Sequence, residues 1–286
     1  MYSTLISADQ LRALQDTSPA LLVVDCSFDL MNINAGRQAF ESEHLAGAVY
    51  AHLDDLLSAK TPQGQAVNAG RHPLPSREVL AQRLRQLGVN QDTQVVSYDR
   101  NGHMICGRLW WLLKWAGHEA VAVLDGGLAA WKAAGGKTTS GPAPTPAPGN
   151  FVLADPLVEL RHTRDVASEL GTVKQTIIDA RATPRFLGEV EPLDPVAGHI
   201  PSALNRPFAS NFDETGCFKS AAQLKTEFQT LLAGRPPESV VHHCGSGVSA
   251  VPNIIAMELA GLGRQPLYAG SWSEWCNTPG LPCAKG

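Results

Sequence analysis

The sequence predicts an α/β fold written twice, as two tandem domains that are each a mainly parallel sheet flanked by helices. Three observations predict it. Short apolar strands alternate with segments whose apolar residues recur at helical spacing, the pattern of parallel sheets covered on both faces. The two halves carry matching motifs in the same order. A proline-rich stretch stands between them. The 286 residues, 44% of them hydrophobic, fit about two domains at ~100–200 residues each and suffice for a sizeable core in both.

The elements follow in order. LLVVD at 21–25 matches TIID at 176–179, each an aliphatic run ending in Asp. EHLAGA at 43–48 then matches GHIPSA at 198–203, at an offset of about 155. Segments 76–87 and 220–232 each start on a helix-capping Ser, followed by apolar residues at helical spacing. The second pairs Ser220 with Gln223 as a predicted capping box and carries a stripe of Leu224, Phe228, Leu231 and Leu232. The runs QVVSY at 94–98 and SVVHH at 239–243 read as buried strands that lead into a turn and then a helix. LDGGLAAW at 124–131 finally parallels LYAGSWSEW at 267–275. Pro142, Pro144, Pro146 and Pro148 alternate along 136–150, which neither a helix nor a central strand tolerates. The predicted organisation is therefore a first domain over 1–135, an extended semi-rigid linker over 136–150 and a second domain over 151–286.

Charge and cysteine usage exclude several classes of function. With 23 Lys+Arg against 27 Asp+Glu and a net charge of -4, the chain has no basic block suited to nucleic acid or an anionic membrane. No run of ~18 apolar residues occurs, and 1–10 lacks a basic-then-apolar signal, so a soluble cytoplasmic protein is expected. Cys26, Cys106, Cys217, Cys244, Cys276 and Cys283 are too scattered for a disulfide framework, and reduced thiols are expected. Cys276 and Cys283 lack an accompanying His pair, so no metal site is expected.

One loop carries chemistry. Cys244-Gly245-Ser246-Gly247-Val248-Ser249-Ala250 follows a strand and precedes the apolar helical segment 251–259, and the carboxyl end of such a strand is the usual ligand position in an α/β sheet. Glycines behind the cysteine let the backbone N–H groups form a cradle, to which the helix start adds positive potential. That setting favours a thiolate, the reactive form of cysteine, and makes Cys244 the candidate nucleophile. The corresponding residue of the first half, at an offset of about 145, is Asp99. Only the second half then has a thiol at this place, and the other five cysteines read as buried bystanders.

The loop CGSGVSA, the elements Asp179-Ala180-Arg181 and Arg185-Phe186, the motif Gly198-His199-Ile200-Pro201, the terminal AGSWSEW and the duplicated layout together resemble the two-domain rhodanese family. The resemblance runs from Leu5 to about Trp275. Within the family, Gly245-Ser246 after the cysteine resembles 3-mercaptopyruvate sulfurtransferases, because thiosulfate-preferring rhodaneses usually carry basic residues there. The resemblance implies a ping-pong sulfurtransferase without a cofactor. Cys244 takes sulfur from 3-mercaptopyruvate or thiosulfate as a persulfide and passes it to cyanide or to a thiol such as a thioredoxin-like dithiol.

Further roles are implied residue by residue. Gly245, Ser246, Gly247, Val248 and Ser249 bind the sulfur through their amides, and Arg185 binds the donor's acidic group. Ser246, His72 and Asp54 form the Ser-His-Asp relay of mercaptopyruvate enzymes, with His72 in the motif His72-Pro73-Leu74-Pro75 and reaching over from the first domain. Asp179 and Arg181 are a structural pair beside the site. The chain departs from the family pattern in two places. Asp54 lies farther from His72 than the relay acid usually does, and 188–195 contains Glu189, Glu191 and Asp194 where mercaptopyruvate enzymes typically carry a second Arg.

Other readings are weaker. A cysteine phosphatase of related fold needs an Arg at the end of the loop to clamp phosphate, and Ala250 stands there instead. A noncatalytic rhodanese-like scaffold has no use for the retained thiol and glycines. His199 reads as a turn-fixing group. Adjacent strand residues point to opposite faces, so at most one of His242 and His243 approaches the nucleophile. The tryptophans at i and i+4, Trp111 and Trp115, read as core, as do Trp272 and Trp275. A monomer acting on a small-molecule donor is expected.

Overall fold

The same strand order is laid down twice along the chain. The computed structural model describes residues 1–18, 20–61, 66 and 70–286. Two compact units comprise Met1–Ser58, Pro75–Leu157 and Phe212–Phe218 on one side, and Ala59–Leu74, Val158–Asn211 and Lys219–Gly286 on the other. Residues 59–74, which carry His72, thus belong with the second unit although they precede its other segments by a long stretch of chain.

Among the described residues, the first unit contains strands β1 (Leu5–Ile6), β2 (Leu21–Asp25), β3 (His44–Leu45), β4 (Val49–Tyr50), β5 (Gln94–Tyr98), β6 (Val121–Leu124) and β7 (Thr138–Thr139). Its helices are α1 (Ala8–Thr17), α2 (Ala35–Ser42), α3 (Arg77–Gln86), α4 (Met104–Trp115) and α5 (Gly127–Ala133). The main sheet is parallel in the order β1-β6-β5-β2-β4, and β3 pairs antiparallel with β7. Helix α1 starts on a full capping box between Ser7 and Gln10. Strand β5 is buried along its whole length, as a central parallel strand covered on both faces must be. Within the proline-rich stretch, Thr138–Thr139 forms β7, and Gly149 is pinned by donating to Arg85 O at 2.7 Å. A Cβ at Gly149 would sit 2.0 Å from Val89 O, so only glycine allows that approach.

The second unit contains β8 (Leu160–Arg161), β9 (Thr176–Asp179), β10 (Leu204–Asn205), β11 (Val240–His243) and β12 (Leu267–Tyr268). Its helices are α6 (Thr163–Ser168), α7 (Thr183–Leu187), α8 (Ala221–Leu232), α9 (Val251–Leu259) and α10 (Ser271–Trp275). Its sheet, parallel throughout, runs β10-β9-β11-β12-β8. Element for element this repeats the first sheet. The predicted strands 21–25, 94–98 and 176–179 coincide with β2, β5 and β9, while Ser239 belongs to a 3-10 turn ahead of β11. At α8, Leu224, Phe228 and Leu232 are buried and Leu231 is half-buried. The expected capping box there is only half made. Ser220 Oγ accepts from Gln223 N, but the Gln223 side chain turns to Glu227 Oε1 at 3.3 Å and leaves the cap backbone.

The core explains the aromatic residues. Trp110, Trp111, Trp131, Trp272 and Trp275 are fully buried, and Trp272 Nε1 donates to Val196 O at 2.9 Å. His242 on β11 is also fully buried, with Nε2 3.1 Å from Met257 Sδ on α9. Burial, reinforced by His243 and Arg206, pushes its pKa down to about 3. The unfolded chain, with a His pKa of ~6.5, therefore binds a proton that the native state refuses, and stability falls as pH drops from that value toward the folded one. The expected loss from His242 is about 2 kcal/mol between pH 7 and pH 5. Urea unfolding at the two pH values should show a shallower loss in His242→Leu, and an unchanged pH slope in that variant would refute this account.

Candidate functional site

The loop 244–250 begins where β11 ends, and the register that sets His243 opposite Asp179 of β9 fixes its height in the sheet. The outer side of the loop is held by the segment that opens α10. Cys244 N donates to Ser271 Oγ at 3.1 Å, Trp272 N donates to Cys244 O at 2.9 Å and Ser273 N donates to Gly245 O at 2.9 Å. Gly247, at φ +74, passes so close to the backbone that a Cβ would lie 2.3 Å from Ala269 O. Among the described residues, the N–H groups of Gly245, Ser246, Val248, Ser249 and Ala250 meet no acceptor. Such a run of unpartnered donors directly behind a thiol is an anion nest, suited to a sulfur that carries negative charge.

Two side-chain systems surround the loop. The first is ionic. Arg181 clasps Asp179 through Nε at 3.0 Å and Nη2 at 2.6 Å and donates from Nη2 to Gly198 O at 2.7 Å. Both partners are fully buried in their side chains, and the Arg181 guanidinium lies over the Trp272 ring at 4.9 Å. Burial by itself raises the Asp179 pKa, but His243 and Arg181 outweigh it and hold the carboxyl below its usual value. Arg185 donates from Nη2 to Glu191 Oε1 at 2.6 Å and approaches Asp194 Oδ2 at 3.3 Å. The Glu191 carboxyl, raised by burial, is brought below its ordinary value by Arg185 and by the N–H groups of Leu193 and Asp194.

The second system is a buried His–Ser hydrogen bond. His72 Nδ1 lies 2.8 Å from Ser246 Oγ, with both residues buried. Next to His72, Pro73 O accepts from Ala59 N at 2.8 Å. Of the three expected relay members the structure brings Ser246 and His72 together within one unit. Asp54 belongs to the first unit, where its N–H donates to His52 Nδ1 at 3.3 Å. His199 stacks on Phe186 at 3.9 Å and hydrogen-bonds Phe186 O at 2.8 Å, so it fixes the helix that carries Arg185. His243 keeps its Nδ1 on Cys244 O at 3.1 Å, and burial lowers its pKa against the pull of Asp179.

One residue of the site was not singled out by the sequence. Arg71, next to His72, anchors its N–H on Ser273 Oγ at 3.0 Å and its Nη1 on Asp194 Oδ1 at 2.6 Å. Its Nη2 lies 3.0 Å from where a Cβ of Gly245 would be, and Arg185 Nη1 lies 3.6 Å from the same point. A basic residue beside the relay His was the only signal available. Its meaning depends on a contact to Asp194 that is 123 residues away.

Of the other cysteines, Cys26 and Cys106 are buried as expected, whereas Cys217 and Cys276 are only half-buried and Cys283 is exposed. Burial raises the pKa of Cys26, Cys106, Cys217 and Cys283, and that of Cys276 to about 11. In the first unit, Asp99 follows β5 as Cys244 follows β11, and its carboxylate accepts from Asn101 N, His103 N, Ile105 N and Cys106 N at 2.8–3.0 Å. The loop that could receive an anion there is filled by its own side chain. Asp99, His103 and Cys106 bring ligand-type atoms within 4.8 Å of one another. With both carboxylate oxygens taken up by N–H groups, the cluster reads as a helix cap rather than a metal site.

A family model described as "Rhodanese-like domain" matches residues 7–134 and again 162–278. A Pseudomonas aeruginosa protein named "Probable 3-mercaptopyruvate sulfurtransferase" is 44% identical over 283 residues, covering 99% of this chain and 98% of the relative. Human 3-mercaptopyruvate sulfurtransferase is 34% identical over 274 residues, covering 94% of this chain and 89% of the human one. The solved structure of SseA from Escherichia coli, titled for the "Rhodanese" fold and catalytic mechanism of 3-mercaptopyruvate sulfotransferases, superposes with a TM-score of 0.79 at 30% identity, covering 96% of this chain and 100% of that one.

The buried pair yields a stability prediction. Asp179→Ala leaves Arg181 and its neighbours with an uncompensated buried charge, which typically costs about 3–5 kcal/mol. Equilibrium urea unfolding measures it, and a loss below about 1 kcal/mol would mean that Glu191 and Gly198 suffice to hold Arg181.

Proposed function

Since the chain belongs to the rhodanese family, we propose that it is a sulfurtransferase that carries sulfur as a persulfide on Cys244. The observation that carries the reading is the thiol at the end of β11, followed by the N–H groups of Gly245, Ser246, Val248, Ser249 and Ala250, which meet no acceptor among the described residues, and by Ser246 hydrogen-bonded to His72 at 2.8 Å. The domain over 151–286 is the working copy, and that over 1–135 is a degenerate copy in which Asp99 replaces the thiol.

The favoured donor is 3-mercaptopyruvate. The Cys244 thiolate forms an S–S bond to the donor's sulfur, the donor's C–S bond breaks, and its electron pair remains on carbon as the enolate of pyruvate. The proton of the donor thiol passes through Ser246 and His72 to that carbon, which completes pyruvate. The outer sulfur of the persulfide then carries the negative charge, which the N–H groups of Gly245, Ser246, Val248, Ser249 and Ala250 stabilise. With thiosulfate the S–S bond breaks instead, sulfite leaves, and no carbon needs a proton. In the second half-reaction an acceptor thiolate bonds to the outer sulfur and Cys244 departs as thiolate. Cyanide in the same role gives thiocyanate. Arg185, partly exposed beside Gly245, binds the acidic group of the donor.

No described helix is long and apolar enough to cross a membrane. The free thiols suit a reducing compartment such as the cytoplasm. Thioredoxin-like dithiols are chemically suited acceptors there.

Two predictions test the reading. Cys244→Ser abolishes turnover of both donors, and mass spectrometry of the wild-type protein after donor addition shows one added sulfur on the peptide containing Cys244. Sulfur on another cysteine, or turnover in the variant, removes the assignment. His72→Ala and Ser246→Ala lower kcat/KM for 3-mercaptopyruvate by about 10²-fold or more, as loss of a proton carrier does, and lower that for thiosulfate less. Equal losses on the two donors would sink the relay.

A further inference from the structure

We infer that Arg71 is the second cation of the donor site, and that Arg71 and Arg185 together grip the carboxylate of an α-keto acid donor above Gly245. This rests on the sulfurtransferase reading and names what its donor must carry. The stretch 188–195, which contains no arginine, makes the chain look short of such a cation. The structure supplies one from a different segment, beside the relay His.

Three observations carry the inference. The first is convergence, because the ends of Arg71 and Arg185 come to within 3.0 Å and 3.6 Å of a single point, the vacant Cβ position of Gly245. The second is the state of the N–H groups. Asp194 takes Arg71 Nη1 and shares Arg185 Nη2 with Glu191. Among the described residues, Arg71 Nη2 and Arg185 Nη1, the two nitrogens nearest that point, make no hydrogen bond, and Arg71 Nε is buried without an acceptor. Unspent donors on two guanidinium groups suit a planar carboxylate, which can take them in pairs. The third is placement. The point belongs to the residue after the nucleophile, so a carboxylate held there lies within a few bonds of Cys244, as it must in a donor whose thiol and carboxylate stand on one three-carbon frame.

The acidic residues take on a positive part in this arrangement. Asp194 bridges the two arginines and fixes their separation, and Glu191 holds Arg185 and approaches Arg181 at 3.4 Å. Gly245 is needed for a separate reason. Its backbone is not in the left-handed region, so alanine is conformationally permitted, but the added Cβ meets Arg71 Nη2 at 3.0 Å and pushes the guanidinium off the site.

The experiment compares two donors that differ only at the carboxylate. 3-Mercaptopyruvate carries it, and mercaptoacetone, the same α-keto thiol with a methyl in its place, does not. Arg71→Met is expected to raise KM for 3-mercaptopyruvate about 10- to 100-fold, the value of a lost hydrogen bond between charged groups, with a smaller change in kcat. The loss of kcat/KM on mercaptoacetone is at least tenfold smaller. Arg71→Lys keeps the charge without the fork and falls between, and Gly245→Ala raises the same KM from the other side of the contact. Equal losses on both donors would show that Arg71 merely positions His72, and a KM within twofold of wild type would show that it does not touch the donor. Either result overturns the assignment. Inorganic polysulfide loads Cys244 without needing a carboxylate, so an added sulfur on Cys244 in Arg71→Met under polysulfide leaves the sulfurtransferase reading standing whatever the donors do. Wild-type protein that acquires no sulfur on Cys244 from any donor would remove both.

Discussion

A buried carboxylate at the end of β9 sets the level at which the site is built. Asp179 stands opposite His243 in the parallel register, one residue before Cys244 on the neighbouring strand. A fully buried charge there is tolerable only with a partner, and Arg181 provides one with a doubled contact. Once placed, Arg181 ties β9 to the carbonyl of Gly198 and reaches toward Glu191, which in turn aims Arg185. From one strand end the contacts thus run outward to the cations of the loop's rim.

The first unit shows what the same frame does without this arrangement. Asp25 ends β2 as Asp179 ends β9, but its partner is Arg100 at 2.7 Å, from the loop after β5. Arg100 also bonds to Glu43 O, the carbonyl that corresponds to Gly198 O, and so does the job of Arg181 from the neighbouring strand. At an offset of about 145, Arg100 corresponds to Gly245. Moving the structural arginine from the β11 loop to the β9 loop is what frees that position for glycine. Asp99 completes the contrast, since its carboxylate consumes four N–H groups of its own loop and of the first turn of α4. One loop is satisfied internally, and the other is left with donors to spend on a ligand.

Much of this was legible in the sequence because it is local or repeated. The strands at 21–25, 94–98 and 176–179, the helix at 251–259 and the thiol of Cys244 in its glycine loop follow from runs of residues that state their own conformation. The repeat supplied the comparison that isolates Cys244 from Asp99. What escaped depends on residues far apart in the chain. His72 meets Ser246 across 174 positions, a pairing that only the family resemblance implied, and Arg71 meets Asp194 across 123, and nothing in residues 59–74 alone announces that they join the second unit. The acids of 188–195 likewise take their meaning from contacts that the chain order hides. Read along the chain they repel an anion, whereas in space Glu191 and Asp194 spend their charge orienting Arg185 and Arg71. The half-made capping box at Ser220 is a smaller case, in which the motif was present but Gln223 had a competing acceptor one turn away in Glu227.

The motif AGSWSEW explains how the loop can remain unsatisfied without collapsing. A strip of backbone with free N–H groups is expensive unless its remaining polar groups are firmly held. Ser271 takes the Cys244 N–H on its hydroxyl and donates its own O–H to Tyr268 O, at the cost of a left-handed backbone at φ 54. The next two residues donate their N–H groups to Cys244 O and Gly245 O, and the Ser273 hydroxyl receives Arg71 N. Three successive residues therefore anchor the outer face of the loop and the segment bearing Arg71 and His72. The strain at Ser271 is the counterpart of the open donors on the inner face. With the carbonyls of Cys244 and Gly245 committed to α10, the N–H groups of Gly245, Ser246, Val248, Ser249 and Ala250 meet no acceptor among the described residues and stand open to an anion.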